Sequence, residues 1–169
     1  ANPPLYYFTS SLIYKVFYQG SLIERVYAVR LLSIIYYILT VFICYKIGQL
    51  TFKSNILAIN FASLIAFMPM FIFASSGILP DPLTNLLFTI FIYFSMRTLI
   101  KLEKKTILFA SITIILGTLT RQQFLISLPI FFVALLYQFY KIKRVRLLFI
   151  LTLLIIILLI LVEKFGTRY

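Results

Sequence analysis

The sequence predicts an all-α fold: a polytopic bundle of about six transmembrane helices preceded by an N-terminal interfacial helix. Three observations predict it. Hydrophobic residues make up 63% of the 169-residue chain and charged residues 12%, too little polar surface for a water-soluble domain of this size. The charged residues gather in short stretches between long apolar runs. Several of those runs approach the ~20 residues that a helix needs to cross hydrocarbon.

Residues 5–19 mix aromatic side chains with Thr9, Ser10, Ser11 and Lys15. This stretch is too polar to span and suits an amphipathic helix lying at the interface, where tyrosines favour the headgroup layer. Gly20-Ser21 breaks it, and a new helix begins near Leu22 with Glu24, Arg25 and Arg30 on its wet first turns. Spans are expected at 31–45, 56–74, 83–100, 106–120, 123–140 and 147–162. The fourth and fifth are short and either borrow flanking residues or pack around a cavity where depth is less strict. Pro69 should kink the second span, and Gly117 suits close helix packing. No linker, repeat or composition shift divides the chain, so residues 1–169 read as one transmembrane domain. The chain starts at Ala1 with no signal-peptide pattern and ends in a polar tail after a span, as expected for a fragment of a longer membrane protein.

The net charge of +12 invites a nucleic-acid reading. The basic residues, however, sit in loops between spans, where loop asymmetry and anionic lipid headgroups account for them, so no nucleic-acid partner is expected. The loop at 75–82 has no base, whereas 141–146 holds Lys141, Lys143, Arg144 and Arg146. This asymmetry predicts that residues 1–30, the Asp81 loop and Arg121 lie on the extracytoplasmic side, periplasmic in a prokaryote or lumenal in a eukaryote. The chain has no histidine, which removes the commonest metal ligand and the usual base near neutral pH. Its single cysteine, Cys44, lies in an apolar run and reads as a small buried hydrophobe.

Asp81 is the only aspartate, set in Ser75-Ser76-Gly77-Ile78-Leu79-Pro80-Asp81-Pro82 between two apolar spans. Two readings stand: an N-cap with Pro82 at the first helical position, or an acid at a membrane mouth that takes a proton or holds a cation. Arg121, in Leu119-Thr120-Arg121-Gln122-Gln123, either snorkels at a hairpin end or grips a phosphate through its planar fork, with Gln122 and Gln123 adding neutral donors. Arg30 either snorkels or joins Arg121 in neutralising a lipid phosphate. Pro3-Pro4 either stiffens the entry to a helix or, with Tyr6 and Tyr7, frames a site. No glycine-rich phosphate loop, HExxH motif or Ser/His/Asp set is present.

The order of these elements resembles that of GT-C membrane glycosyltransferases. Asn2-Pro3-Pro4-Leu5-Tyr6-Tyr7 is similar to their HPPLYY-like motif, with Asn2 in place of histidine. Arg30-Leu31-Leu32-Ser33 resembles the RxxS start of the next span, Ser76 to Asn85 the short outer loop carrying (T/P)D, and Leu119-Thr120-Arg121 the later L-T-(K/R) element. The likeness covers residues 2 to about 130 and points to the protein mannosyltransferase and aminoarabinose transferase group. It implies transfer of a sugar from a polyprenyl-phosphate donor to a protein, lipid or glycan acceptor on the extracytoplasmic face of a cell membrane. It also implies that Asp81 matches the second acidic position of the site and Arg121 a basic position near the carrier phosphate. Pro4, Tyr6, Tyr7, Arg30 and Gln122 would shape the substrate-binding surface. The principal catalytic acid of such enzymes precedes the PPLYY element and so the start of this chain. Members of the group differ in metal use: a divalent cation is conceivable, and Asp81 is the one plausible ligand. Two rival classes are a lipid or solute transporter, which needs access from both faces and ion sites at mid-depth, and a non-catalytic membrane scaffold.

Overall fold

The computed structural model describes residues 4–141, and every regular element among them is helical. The order is α1 (Leu5–Val16), α2 (Leu22–Phe52), α3 (Asn55–Ala66), α4 (Pro69–Ser76), α5 (Asp81–Ile100), α6 (Lys104–Thr118), a 3₁₀ turn (Gln122–Ile126) and α7 (Ser127–Lys141). The expected span at 147–162, with Asn2 and Pro3, lies outside the described residues.

Two helices, α2 and α5, are long and apolar enough to cross a membrane, and α3 with α4 qualifies as a third only as a pair bent by 59°. The described residues are thus all-helical, with helices of membrane-spanning length. The helices α6 and α7 have 15 residues each, about 22 Å of axis, which is short of a hydrocarbon core of ~30 Å.

The longest helix, α2, extends past the apolar run 31–45 at both ends. It starts in a capping box: the Glu24 amide donates to Ser21 Oγ at 3.3 Å, and the Ser21 amide donates to Glu24 Oε2 at 2.8 Å. It stops where Lys53 turns left-handed at φ 52°. Its buried face carries Ser33, Thr40, Cys44 and Gly48, while Ile34, Ile35, Ile38 and Phe42 are exposed. That small, partly polar interior with an aliphatic exterior is the pattern of helices packed within lipid. A Cβ at Gly48 would lie 2.8 Å from Ala58 Cα, so the missing side chain is what allows α3 to approach.

The expected kink lies between α3 and α4. Met68, which precedes Pro69, is extended (φ −68°, ψ 115°), as the residue before a proline prefers. The break frees the Ala66 carbonyl, which accepts from the Tyr37 hydroxyl of α2, and the Tyr37 ring lies 5.2 Å from that of Phe71. The space it opens is a cavity of about 250 Å³ lined by Thr40, Cys44, Ile65, Phe71, Asn85 and Thr89, among others.

At the centre, α5 packs on α2, α6 and α7. The core holds Tyr6, Leu83, Leu87, Phe91, Phe124 and Phe131. Phe91 meets Phe124 and Phe131 edge-on, with centroids 6.3 and 6.1 Å apart. Buried threonines such as Thr40 and Thr98 return their hydroxyls to the carbonyl four residues earlier and so need no partner on another helix.

Two ends of the bundle follow from its contacts. At one, the Leu5 amide donates to the Leu119 carbonyl at 3.0 Å, and Arg121 pairs with Asp81. At the other, Leu50, Arg97, Lys101, Glu103 and Thr106 line one crevice, and Lys101 and Glu103 form an ion pair of 3.0 Å.

Candidate functional site

Asp81 opens α5. The N-cap reading is corrected here: Pro80 occupies the cap position, Asp81 is the first helical residue, and its side chain makes no capping hydrogen bond. Its carboxylate is drawn instead to Arg121, whose Nη1 donates to Oδ1. The charge still lies at the positive end of the α5 dipole. Side-chain exposures of 42% for Arg121 and 33% for Asp81 leave water access to both.

Arg121 is held by its backbone. Its amide donates to the Gly117 carbonyl at 2.9 Å, and its carbonyl accepts from the Phe124 amide at 3.0 Å. This turn exists because α6 can end tightly at Gly117, where a Cβ would lie 2.4 Å from the Phe124 ring. Gln122 and Gln123 are exposed beside it.

Pro4 is exposed at the start of α1, where its carbonyl accepts from the Phe8 amide at 2.9 Å. The Leu5–Leu119 bond ties this segment to the Arg121 turn. Three segments far apart in sequence, around Leu5, Asp81 and Leu119–Arg121, therefore meet at one end of the bundle. Tyr6 points inward and is buried, while Tyr7 is half exposed and meets the Tyr6 ring edge-on at 5.6 Å. Arg30 is not part of the ion pair. It is exposed on α2, with its guanidinium 5.9 Å from the Tyr27 ring.

Two features of this end had no sequence signal for the contacts they make. The first is Arg25, which fastens α1 to α2. It donates to Tyr14 Oη at 3.3 Å and to the Gly20 carbonyl at 3.2 Å, and its guanidinium lies 4.8 Å from the Tyr18 ring centroid. The second is a buried hydroxyl group of Tyr6, Ser10 and Ser33, none of them in hydrogen-bond geometry. Burial raises the Tyr6 pKa, and the neighbouring Ser10 and Ser33 hydroxyls oppose the shift.

Between α1, α2 and Ile78 runs an apolar crevice of about 300 Å³. A wider apolar groove of about 640 Å³ lies between α5 and α7 toward the other end, with the unpartnered Ser95 hydroxyl in its wall. Among the described residues no three Cys, Asp or Glu side chains come together. Among the described residues Asp81 is the one carboxylate of the site, and Arg121 engages it, so these residues alone do not form a ligand set for a divalent cation.

The fold and site define a class: an all-helical protein with spanning-length apolar helices and a partly exposed carboxylate–guanidinium pair at one end. Comparison with known protein families, curated proteins and solved structures found no match to this chain.

Proposed function

We propose that this chain is part of a membrane glycosyltransferase that moves a sugar from a polyprenyl-phosphate donor to an acceptor on the extracytoplasmic face. The observation that carries the reading is the meeting of Leu5, Asp81 and Arg121 at one end of an apolar bundle. Lipid-linked donors combine a greasy tail with an anionic head. A bundle wall for the tail beside a guanidinium for the head suits both parts.

Transfer would proceed by attack of an acceptor hydroxyl oxygen on the anomeric carbon. The bond from that carbon to the phosphate oxygen breaks, and the phosphate leaves with the electron pair. Arg121 stabilises the charge on the departing phosphate. Asp81, a carboxylate at the same end, can accept the proton lost by the acceptor.

The topology that suits this reading has six spans. If α5 crosses the membrane, then residues 104–121 return across the same depth, because Lys104 begins beside Lys101 and Arg121 reaches Asp81. The following 122–141 segment crosses again toward the basic end. The end with Arg97, Lys101, Lys104 and Lys105 is cytoplasmic by the loop-charge rule, which puts Asp81 and Arg121 on the opposite face.

The test compares sugar transfer from radiolabelled polyprenyl-phosphate donors in membranes from cells expressing the natural protein, Asp81→Asn or Arg121→Gln at matched levels. Loss of transfer in both variants, each still folded, is expected. Transfer unaffected by either change would refute the assignment. A cavity that reagents reach from both faces would favour a transporter.

A further inference from the structure

We propose that the Asp81–Arg121 ion pair is a latch opened by phosphate: the phosphate head of a lipid displaces the carboxylate from the guanidinium and so frees Asp81. The proposal rests on the reading of Arg121 as the phosphate-binding group.

Four observations carry it. The hydrogen bond runs from Nη1 to Oδ1, and no other acid among the described residues pairs with the guanidinium. Both side chains are open enough for an ion to reach, and pairs of that kind are weak and exchangeable. The other described acids are engaged locally, Glu24 with the Ser21 amide and Glu103 with Lys101, so none takes the place of Asp81 when it leaves. The two partners also differ in freedom. Asp81 is fixed in the first turn of a 20-residue helix, while Arg121 is a long side chain on an extended connecting residue (φ −156°, ψ 133°).

The exchange is favoured by geometry. A lipid phosphate brings at least one negative charge and at least two free acceptor oxygens, and it fills the fork bidentately where the carboxylate uses one nitrogen. The cost is that Asp81 remains close by as a like charge. The carboxylate therefore opposes phosphate binding twice, as a competitor for Arg121 and as a repelling neighbour. Once displaced, it is an unpaired carboxylate next to the bound head, the state in which it can take a proton. In the empty site the guanidinium keeps it occupied.

This fixes the sign of a mutation. The full 169-residue chain in phosphatidylcholine nanodiscs is titrated with farnesyl phosphate, and farnesol and inorganic phosphate serve as separate arms. Asp81→Asn should bind farnesyl phosphate about two- to fivefold more tightly than the natural sequence, the range set by a partly exposed ion pair. Arg121→Gln should lose the preference for farnesyl phosphate over farnesol, and Arg121→Lys, which keeps the charge without the fork, should fall between. Competition by inorganic phosphate would assign recognition to the head alone. Its absence alongside tight farnesyl phosphate binding would assign it to a lipid phosphate.

Equal or weaker binding by a folded Asp81→Asn variant would overturn the latch, as would equal affinity of the natural sequence for farnesyl phosphate and farnesol. Tighter binding in a protein that transfers no sugar would keep the latch and remove the transferase reading. Transfer that needs Arg121, with phosphate affinity indifferent to Asp81→Asn, would do the reverse.

Discussion

Replacing Gly117 with alanine should destabilise the bundle through one identifiable contact. The added Cβ would lie 2.4 Å from Cγ, Cδ1 and Cε1 of Phe124, against ~3.5–4.0 Å for an ordinary carbon contact. The ring would have to recede by more than about 1 Å. It has little room, since Phe124 is 2% exposed and is flanked by Phe88 and Phe91 with centroids 5.6 and 6.3 Å away. Overpacking of this kind costs about 1–3 kcal/mol. Alanine recovers less than about 1 kcal/mol of helix propensity, because Gly117 lies in the last turn of α6. The expected net loss is about 1–2 kcal/mol, read from thermal unfolding in detergent. Phe124→Leu alone should cost about 1–2 kcal/mol by leaving a void. The two together should cost less than their sum by at least about 1 kcal/mol, because the smaller side chain makes room for the new methyl group. Strict additivity, or a Gly117→Ala protein as stable as its parent, would refute the packing argument.

Two further outcomes are expected. Tyr37→Phe removes the hydroxyl that satisfies the Ala66 carbonyl at the α3–α4 break, and it should lower stability by about 0.5–2 kcal/mol in the same unfolding assay; an unchanged midpoint would mean that the freed carbonyl has another partner. Glu103 has its pKa lowered by the hydrogen bond and charge of Lys101, so its contribution is present above the ordinary glutamate range and is lost as pH falls through the lowered value. The acid limb of a stability–pH profile should therefore flatten slightly in Glu103→Gln, and an identical limb would remove this pair from the account.

Much of the helical plan was legible because apolar run length and helix punctuation carry it. The runs at 83–100 and 106–120 match α5 and α6 to within two residues at each end, and Pro69 marked the break that divides 55–76 into two helices. The start of α2 at Leu22 was legible from the Gly20-Ser21 break, whereas its reach to Phe52 was hidden because hydropathy underrates a helix that continues with polar residues into the interface. The capping box at Ser21 and Glu24 shows why it starts at Leu22. The site was legible as a set of segments rather than as contacts. Loop charge predicts Asp81 and Arg121 on one face and the resemblance predicts one site, but nothing in a single sequence records that these residues, 40 apart, pair directly. The N-cap reading of Asp81 failed for a related reason. Propensity describes what a side chain does when only its own helix is present, and here a guanidinium from another turn takes the carboxylate. Arg25 was legible only as a charge on the wet first turns of α2, since the seat of its guanidinium on Tyr14 and Tyr18 needs the fold to bring them together.

The three described acids differ in a way that bears on what Asp81 is for. Glu24 and Glu103 take partners two or three residues away, contacts that local chain geometry supplies on its own. The Asp81–Arg121 pair requires α5 and the end of α6 to be assembled. A tertiary staple would account for it if the two elements needed one. They do not: Phe124, three residues beyond Arg121, is already buried against Phe88 and Phe91 of α5, and the Leu5–Leu119 bond closes the same end. A partly exposed pair adds at most about 1 kcal/mol to that packing, whereas each of the two edge-on aromatic contacts of Phe124 contributes about 0.5–1.5 kcal/mol. Arg121→Gln should therefore leave the unfolding midpoint almost unchanged. A pair that stability does not need, held open to water at the end of an apolar bundle, makes better sense as a pair that exchanges.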